Sequence, residues 1–99
     1  EGALSNIAIA RKHIATKDRK MLHVHIDKAV AVIQELQASL HDYQNNELSA
    51  NLFELYSYIV TTLIESEKTF DDDKLKTCIN LIEILSDAWK DINPEKVAA

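Results

Sequence analysis

The residues of this 99-residue chain best equipped for chemistry fall in two stretches: "HVH", with His23 and His25, and "DDDKLKTCINLIE", Asp71 to Glu83. A metal ion needs ligands that converge, whereas side chains two apart on a helix diverge by about 160°. His23 and His25 therefore read as solvated or edge histidines. The aspartate run has the length of a calcium loop, but it lacks the glycine of the sharp turn and has Ile82 where a bidentate acid belongs. It reads instead as a helix N-terminus. There is no glycine-rich phosphate cradle and no nucleophile elbow, and the serines have no adjacent base, so hydrolase and kinase chemistry have no carrier. No catalytic residue, metal site or cofactor is expected. Cys78 is the single cysteine, so no disulfide can close within the chain. It reads as a small reduced core side chain in a reducing setting.

One pattern sustains an alternative. "HIDKA", His25 to Ala29, places Lys28 one turn after His25, which resembles histidine phosphotransfer domains, where the lysine balances phosphate charge. The match is partial: Ala29 supplies only some of the small neighbourhood such sites have, and Asp27 adds a repelling charge.

The elements that must position these residues are helices. Glycine and proline occur once each, at Gly2 and Pro94, so no glycine turn or proline break interrupts the interior. A first helix is predicted from about Gly2 to Thr16, with Leu4, Ile7, Arg11 and Ile14 on one face and the stem of Arg11 along the core edge. "TKDRK" breaks the pattern. A second helix is predicted from about Lys20 to Tyr43, with Leu22, Ile26, Ala29, Ile33, Leu36, Leu40 and Tyr43 in heptad spacing. Asn45 or Asn46 serves as a cap in the following link. The third helix is "LSANLFELYSYIVTTLIES", residues 48 to 66, and Asp71 or Asp72 caps the fourth, from about Asp73 to Ile92. Leu75, Cys78, Ile79, Ile82, Leu85, Trp89 and Ile92 point inward on that last helix, which ends ahead of Pro94. Short links favour antiparallel neighbours. The expectation is an all-α, up-down, antiparallel four-helix bundle with a shortened first helix, forming one domain over residues 1–93, and a frayed tail over 94–99.

Sixteen acids against eleven bases, a net charge of −5, argue against a surface that neutralises nucleic-acid phosphates or anionic lipid. No apolar run approaches the roughly 20 residues of a membrane span, and no signal-peptide pattern opens the chain. Neither nucleic acid nor membrane insertion is expected.

What the bundle does not absorb is apolar surface. On the third helix Leu48, Leu52, Leu55 and Ile59 read as the seam, yet Phe53, Val60 and Ile64 lie roughly 140 to 180° from Leu55, with Tyr56 at about 100°. The fourth helix carries Leu81, Ile84 and Ala88 on a flank beside its seam. A weaker outward strip, Val24, Ala31 and Ala38, recurs by sevens on the second. Leaving Phe53, Val60 and Ile64 bare would forgo roughly 5 to 8 kcal/mol of burial, on the scale of a whole domain's stability. Such stripes mark a partner site, an intramolecular cover, or the contact of a generic homo-oligomerising bundle.

The order of residues adds a resemblance. "KAVAVIQELQASL", "ELSANLFELYSYIVTTLIESE" and "LIEILSDAWKDI" resemble the second, third and fourth helices of the flagellar secretion chaperone FliS family. "EGALSNIAIARKHI" resembles the second half of that family's long first helix, so the likeness covers about residues 1 to 93. The family's N-terminal tail and first turns, rich in Asn, Tyr and Leu, have no counterpart here, so the chain reads as an N-terminally truncated member. The resemblance implies a cytoplasmic export chaperone, not an enzyme and without cofactor. Such a chaperone binds the disordered C-terminal segment of flagellin as helices in apolar grooves, prevents premature polymerisation, and keeps the subunit competent for type III secretion. It also implies docking to the cytosolic part of the export gate, and empty grooves invite self-association. On this reading Phe53, Tyr56, Val60, Ile64, Leu81, Ile84 and Ala88 contact flagellin, with Val24, Ala31 and Ala38 as a secondary strip.

Overall fold

The computed structural model describes residues 2–40 and 47–92, with side chains as far as residue 87. Four helices follow one another: α1 (Gly2–Thr16), α2 (Arg19–Ala38), α3 (Glu47–Thr69) and α4 (Asp72–Ile92). Each packs on its chain neighbours and α4 closes against α1, with no diagonal contact between helix backbones among the described residues. Cross-links fix the directions. Gly2 lies beside Val32 and Asn6 beside His25; Gln37 meets Phe53 while His23 meets Glu67; Glu65 meets Lys74, and Arg11 meets Asp72. Every adjacent pair is thus antiparallel, as the short links require. The extents of 42 × 27 × 18 Å fit two layers of helices roughly 10 Å across, running along the long axis.

Two turns share one design. Thr16-Lys17-Asp18 and Thr69-Phe70-Asp71 each place the middle residue in left-handed backbone, φ 57° at Lys17 and 53° at Phe70. The amide of Asp18 then reaches the carbonyl of His13, and that of Asp71 the carbonyl of Ser66, both at 3.0 Å. These 6→1 bonds satisfy carbonyls that a helix end leaves open. Each aspartate then caps the next helix: Asp18 accepts from the Met21 amide and Asp71 from the Lys74 amide. Asp71 is therefore the cap of α4, while Asp72 is engaged elsewhere. Arg19 staples the two turns together, its guanidinium 4.5 Å from the centre of the Phe70 ring and donating to the Glu67 carbonyl at 3.0 Å.

All four helices bury a heptad seam. It runs through Ala3, Ile7, Ala10 and Ile14 on α1, and through Leu22, Ile26, Ala29 and Ile33 on α2. On α3 it runs through Ser49, Leu52, Tyr56, Ile59, Leu63 and Ser66, and on α4 through Leu75, Cys78, Ile82 and Leu85. Alternate steps of three and four residues keep one face toward the core over the whole length. Leu4, Leu36 and Ile79, expected inside, are half-buried against it. The helix of α2 ends at Ala38, five residues before the expected Tyr43, with Ser39 as its C-cap and Leu40 buried just beyond. The expectations for Tyr43, Asn45, Asn46 and the tail over 94–99 lie outside the described residues, as do those for the side chains of Ala88, Trp89 and Ile92.

The seam of α3 is the main correction. Leu48 and Leu55 were expected to hold the bundle together, but they are 47% and 37% exposed, and Ser49 and Tyr56, one position on, take their places. Three small polar residues sit in the buried face and disguise it. Thr62 Oγ1 donates to the Tyr58 carbonyl and Ser66 Oγ to the Leu63 carbonyl, so both hydroxyls are satisfied within their own helix; Ser49 is buried as well.

Candidate functional site

The apolar residues left outside the seams gather along both flanks of α3. Heptad spacing identifies each flank. On α2, His23, Val30 and Gln37 recur by sevens; on α3, Phe53, Val60 and Glu67 do the same, running the other way. Gln37 Nε2 donates to the Phe53 carbonyl at 3.0 Å and to Ser57 Oγ at 2.6 Å. His23 Nδ1 donates to Glu67 Oε2 at 2.7 Å. These two pins stand about 21 Å apart along the helix. Between them lie Val30, Phe53 and Val60, half-buried against the core, and Ile64, which is 45% exposed. The strip of Val24, Ala31 and Ala38 lies on the outer face of α2, opposite its seam, with Ala31 and Ala38 exposed and Val24 half-buried, and it borders neither groove.

The opposite flank of α3 faces α4. Lys74 Nζ stands 3.7 Å from Glu65 Oε1, and the Cys78 thiol donates to the Ile59 carbonyl across 3.8 Å. Tyr58 precedes Glu65 by seven and Leu81 follows Lys74 by seven, so both lie along this second groove. Leu55, on the same flank, adds to it with Leu48 one heptad earlier. Tyr58 is 54% and Ile84 62% exposed, while Leu81 is half-buried.

The structure therefore separates the residues that the sequence singled out. Phe53, Val60 and Ile64 border the α2–α3 groove; Leu81 and Ile84 border the α3–α4 groove; Tyr56, 3% exposed, belongs to the seam and to neither groove. Ala88 follows Leu81 by seven on α4, and its side chain lies outside the described residues. Leu48, Leu55 and Tyr58 are groove residues that periodicity did not single out. Following the heptad through Leu63 and Ser66 would have moved the seam off Leu55 and released them.

The histidines of "HVH", Cys78 and Asp72 are committed elsewhere. His23 points to α3 and His25 to α1, where His25 Nδ1 donates to Asn6 Oδ1 at 3.0 Å and its ring stacks on His13 with centroids 5.6 Å apart. Among the described residues no three His, Cys, Asp or Glu side chains gather as a metal set. Burial pushes the Cys78 thiol up to about 12, so it stays protonated. An open cleft of about 560 Å³ between α1 and α4, lined by Ala8, Arg11, Lys12, Ile14, Ala15 and Asp72, is crossed by an ion pair. Arg11 Nε donates to Asp72 Oδ1 at 2.8 Å and Nη2 to Oδ2 at 3.2 Å, which holds the Asp72 carboxyl below its usual range and occupies both oxygens. The molecule offers apolar surface and no assembled reaction centre among the described residues.

Comparison with known proteins gives these grooves a context. The family model described as "Flagellar protein FliS" matches residues 1–96 of this chain. The chain belongs to the FliS family. Curated relatives agree. The flagellar secretion chaperone FliS of Salmonella typhimurium is 28% identical over 96 residues, covering 96% of this chain and 71% of the relative. The flagellar secretion chaperone FliSB of Pseudomonas aeruginosa is 27% identical over 93 residues, covering 94% and 74%. FliS of Bacillus subtilis is 30% identical over 89 residues, covering 90% and 65%. Each is named a chaperone, and the phosphotransfer reading of His25 gains nothing from them. In this FliS chain the four helices form the bundle, and the two flanks of α3 carry the apolar residues left outside its seams.

Proposed function

We propose that this chain is a flagellin export chaperone of the cytoplasm, which binds the disordered C-terminal segment of flagellin as helices laid into the two grooves flanking α3. Binding would cover segments that otherwise polymerise early and keep the client extended for type III secretion, with no catalytic step and no cofactor. The observation that carries the reading is the placement of exposed large apolar side chains on both sides of α3, Ile64 toward α2 and Leu48, Leu55 and Tyr58 toward α4, with Ile84 exposed on α4 itself, in a FliS-family chain. A helical bundle in water gains nothing by exposing them, whereas an amphipathic client helix presents the complementary stripe. Phe53, Val60 and Leu81 would form the groove floors, with Ala88 continuing the second groove. The secondary strip of Val24, Ala31 and Ala38 would let a further client helix approach closely on the outer face of α2.

Titration calorimetry with a flagellin C-terminal peptide tests this. Ile64→Asp and Ile84→Asp, both at exposed positions, should each weaken binding by at least about tenfold, roughly 1.4 kcal/mol, with circular dichroism unchanged. Val60→Asp should do the same from the floor of the first groove. Unchanged affinity in all three would place the client elsewhere. Light scattering that showed a dimer indifferent to peptide would assign the grooves to self-association instead.

A further inference from the structure

The two histidines of "HVH" diverge onto opposite neighbours, and each meets an environment of opposite sign. We propose that mild acidification loosens α1 from α2 while fastening α2 to α3, with His25 and His23 as the groups that take up the protons.

On the α1 side, His25 packs flat against His13, with an angle of 12° between the ring planes, and donates to the Asn6 amide oxygen. Lys28 from α2 itself is the charged group acting on His25, and His13 lies just before the turn that ends α1. The carboxylate of that turn, Asp18, accepts from the Met21 amide at 3.1 Å. A proton on the His25 ring thus meets a second imidazole and an ammonium group, and it must be held in a half-buried seam. On the α3 side, His23 Nδ1 lies 2.7 Å from Glu67 Oε2, and Nε2 lies 3.6 Å from Asp27 Oδ2. The cation that the structure places at that corner is Arg19. Arg19 is committed to the Glu67 carbonyl, to the Lys68 carbonyl and to the face of Phe70. A proton on His23 completes an ion pair with Glu67 and Asp27 together.

The titration directions agree with this geometry. Burial first, then Lys28 and His13, hold His25 below its ordinary value. The hydrogen bond and charge of Glu67, with the charge of Asp27, raise His23. For His25 the unfolded chain binds the proton first, so its contribution is present at neutral pH and is lost as pH falls below about 6.5. For His23 the folded chain binds it first, so its contribution is complete below about 6.5 and is lost as pH rises through the raised value. One helix is therefore gripped on its α3 flank as pH falls toward about 6.5 and let go on its α1 flank as pH falls further. The consequence is selective: the α1 face carrying Ala3, Ile7, Ala10 and Ile14 would leave the core before α3 does.

Amide hydrogen exchange of the full chain at pH about 7.5 and about 5.5, corrected for intrinsic exchange, reads this directly. Protection of α1 should fall at least about threefold relative to α3 at the lower pH, and His25→Gln should abolish that difference. Equal changes in α1 and α3, or a difference that persists in His25→Gln, would overturn the proposal. Because that variant can fail to fold, proton NMR titration of the unmodified chain provides an independent test. His23 should titrate above His25, and the reverse order would overturn the proposal as well.

Discussion

Lys17 is one of two described residues, with Phe70, whose backbone departs from what an L side chain prefers. Its φ of 57° lies in the left-handed region, where a Cβ costs roughly 1 kcal/mol and where helix ends usually place glycine. Its side chain is exposed. Lys17→Gly should therefore raise stability by about 0.5–1 kcal/mol in urea denaturation, the relief of strain outweighing the added freedom of the unfolded chain. Phe70 holds the same backbone geometry for a different reason, since its ring is the platform for Arg19. Phe70→Gly should gain far less. The sequence showed "TKDRK" as an interruption and the aspartate run from Asp71 as a helix N-terminus, and did not show that the two links are one turn used twice. The shared Thr-x-Asp order was available, but a left-handed lysine or phenylalanine has no signature of its own, because either residue type is common in helices.

At the scale of the element, α3 carries the clearest lesson. Periodicity located the helix, its length and its excess of apolar surface, because those follow from residue type alone. It misplaced the seam by one position because leucine at 48 and 55 outweighs serine at 49 and tyrosine at 56 on any hydrophobicity scale, while Ser49, Thr62 and Ser66 are buried polar residues. Two of those hydroxyls bond to the carbonyls of their own helix, a bond no sequence pattern announces. α2 and α4 were legible because their seams are uniformly apolar. Tyr56→Ala and Leu55→Ala separate the two phases: the first should cost about 3 kcal/mol or more in chemical denaturation, the second well under half of that. Equal costs would return the seam to Leu55. The grooves were legible as excess surface but not as two separate places, because assigning Phe53 to the side of α2 and Leu81 to the side of α3 requires knowing which helix lies on which flank.

For the whole molecule, the arrangement of contacts carries information about time as well as about shape. The hairpins of α1 with α2 and of α3 with α4 are each built from short-range contacts around a preset turn, the class that forms fastest. Arg11 with Asp72, and Arg19 with Phe70, bind one hairpin to the other, across 61 residues of chain in the first case. Interactions separated that widely close late, after most of the entropy of each hairpin has been spent. Arg11→Ala should accordingly speed unfolding a few-fold in stopped-flow experiments while leaving the folding rate nearly unchanged. An equal slowing of folding would mean that the hairpins meet before they are made. The stapled turns thus act on the lifetime of the folded bundle more than on its formation, as a latch that shuts after the halves have assembled.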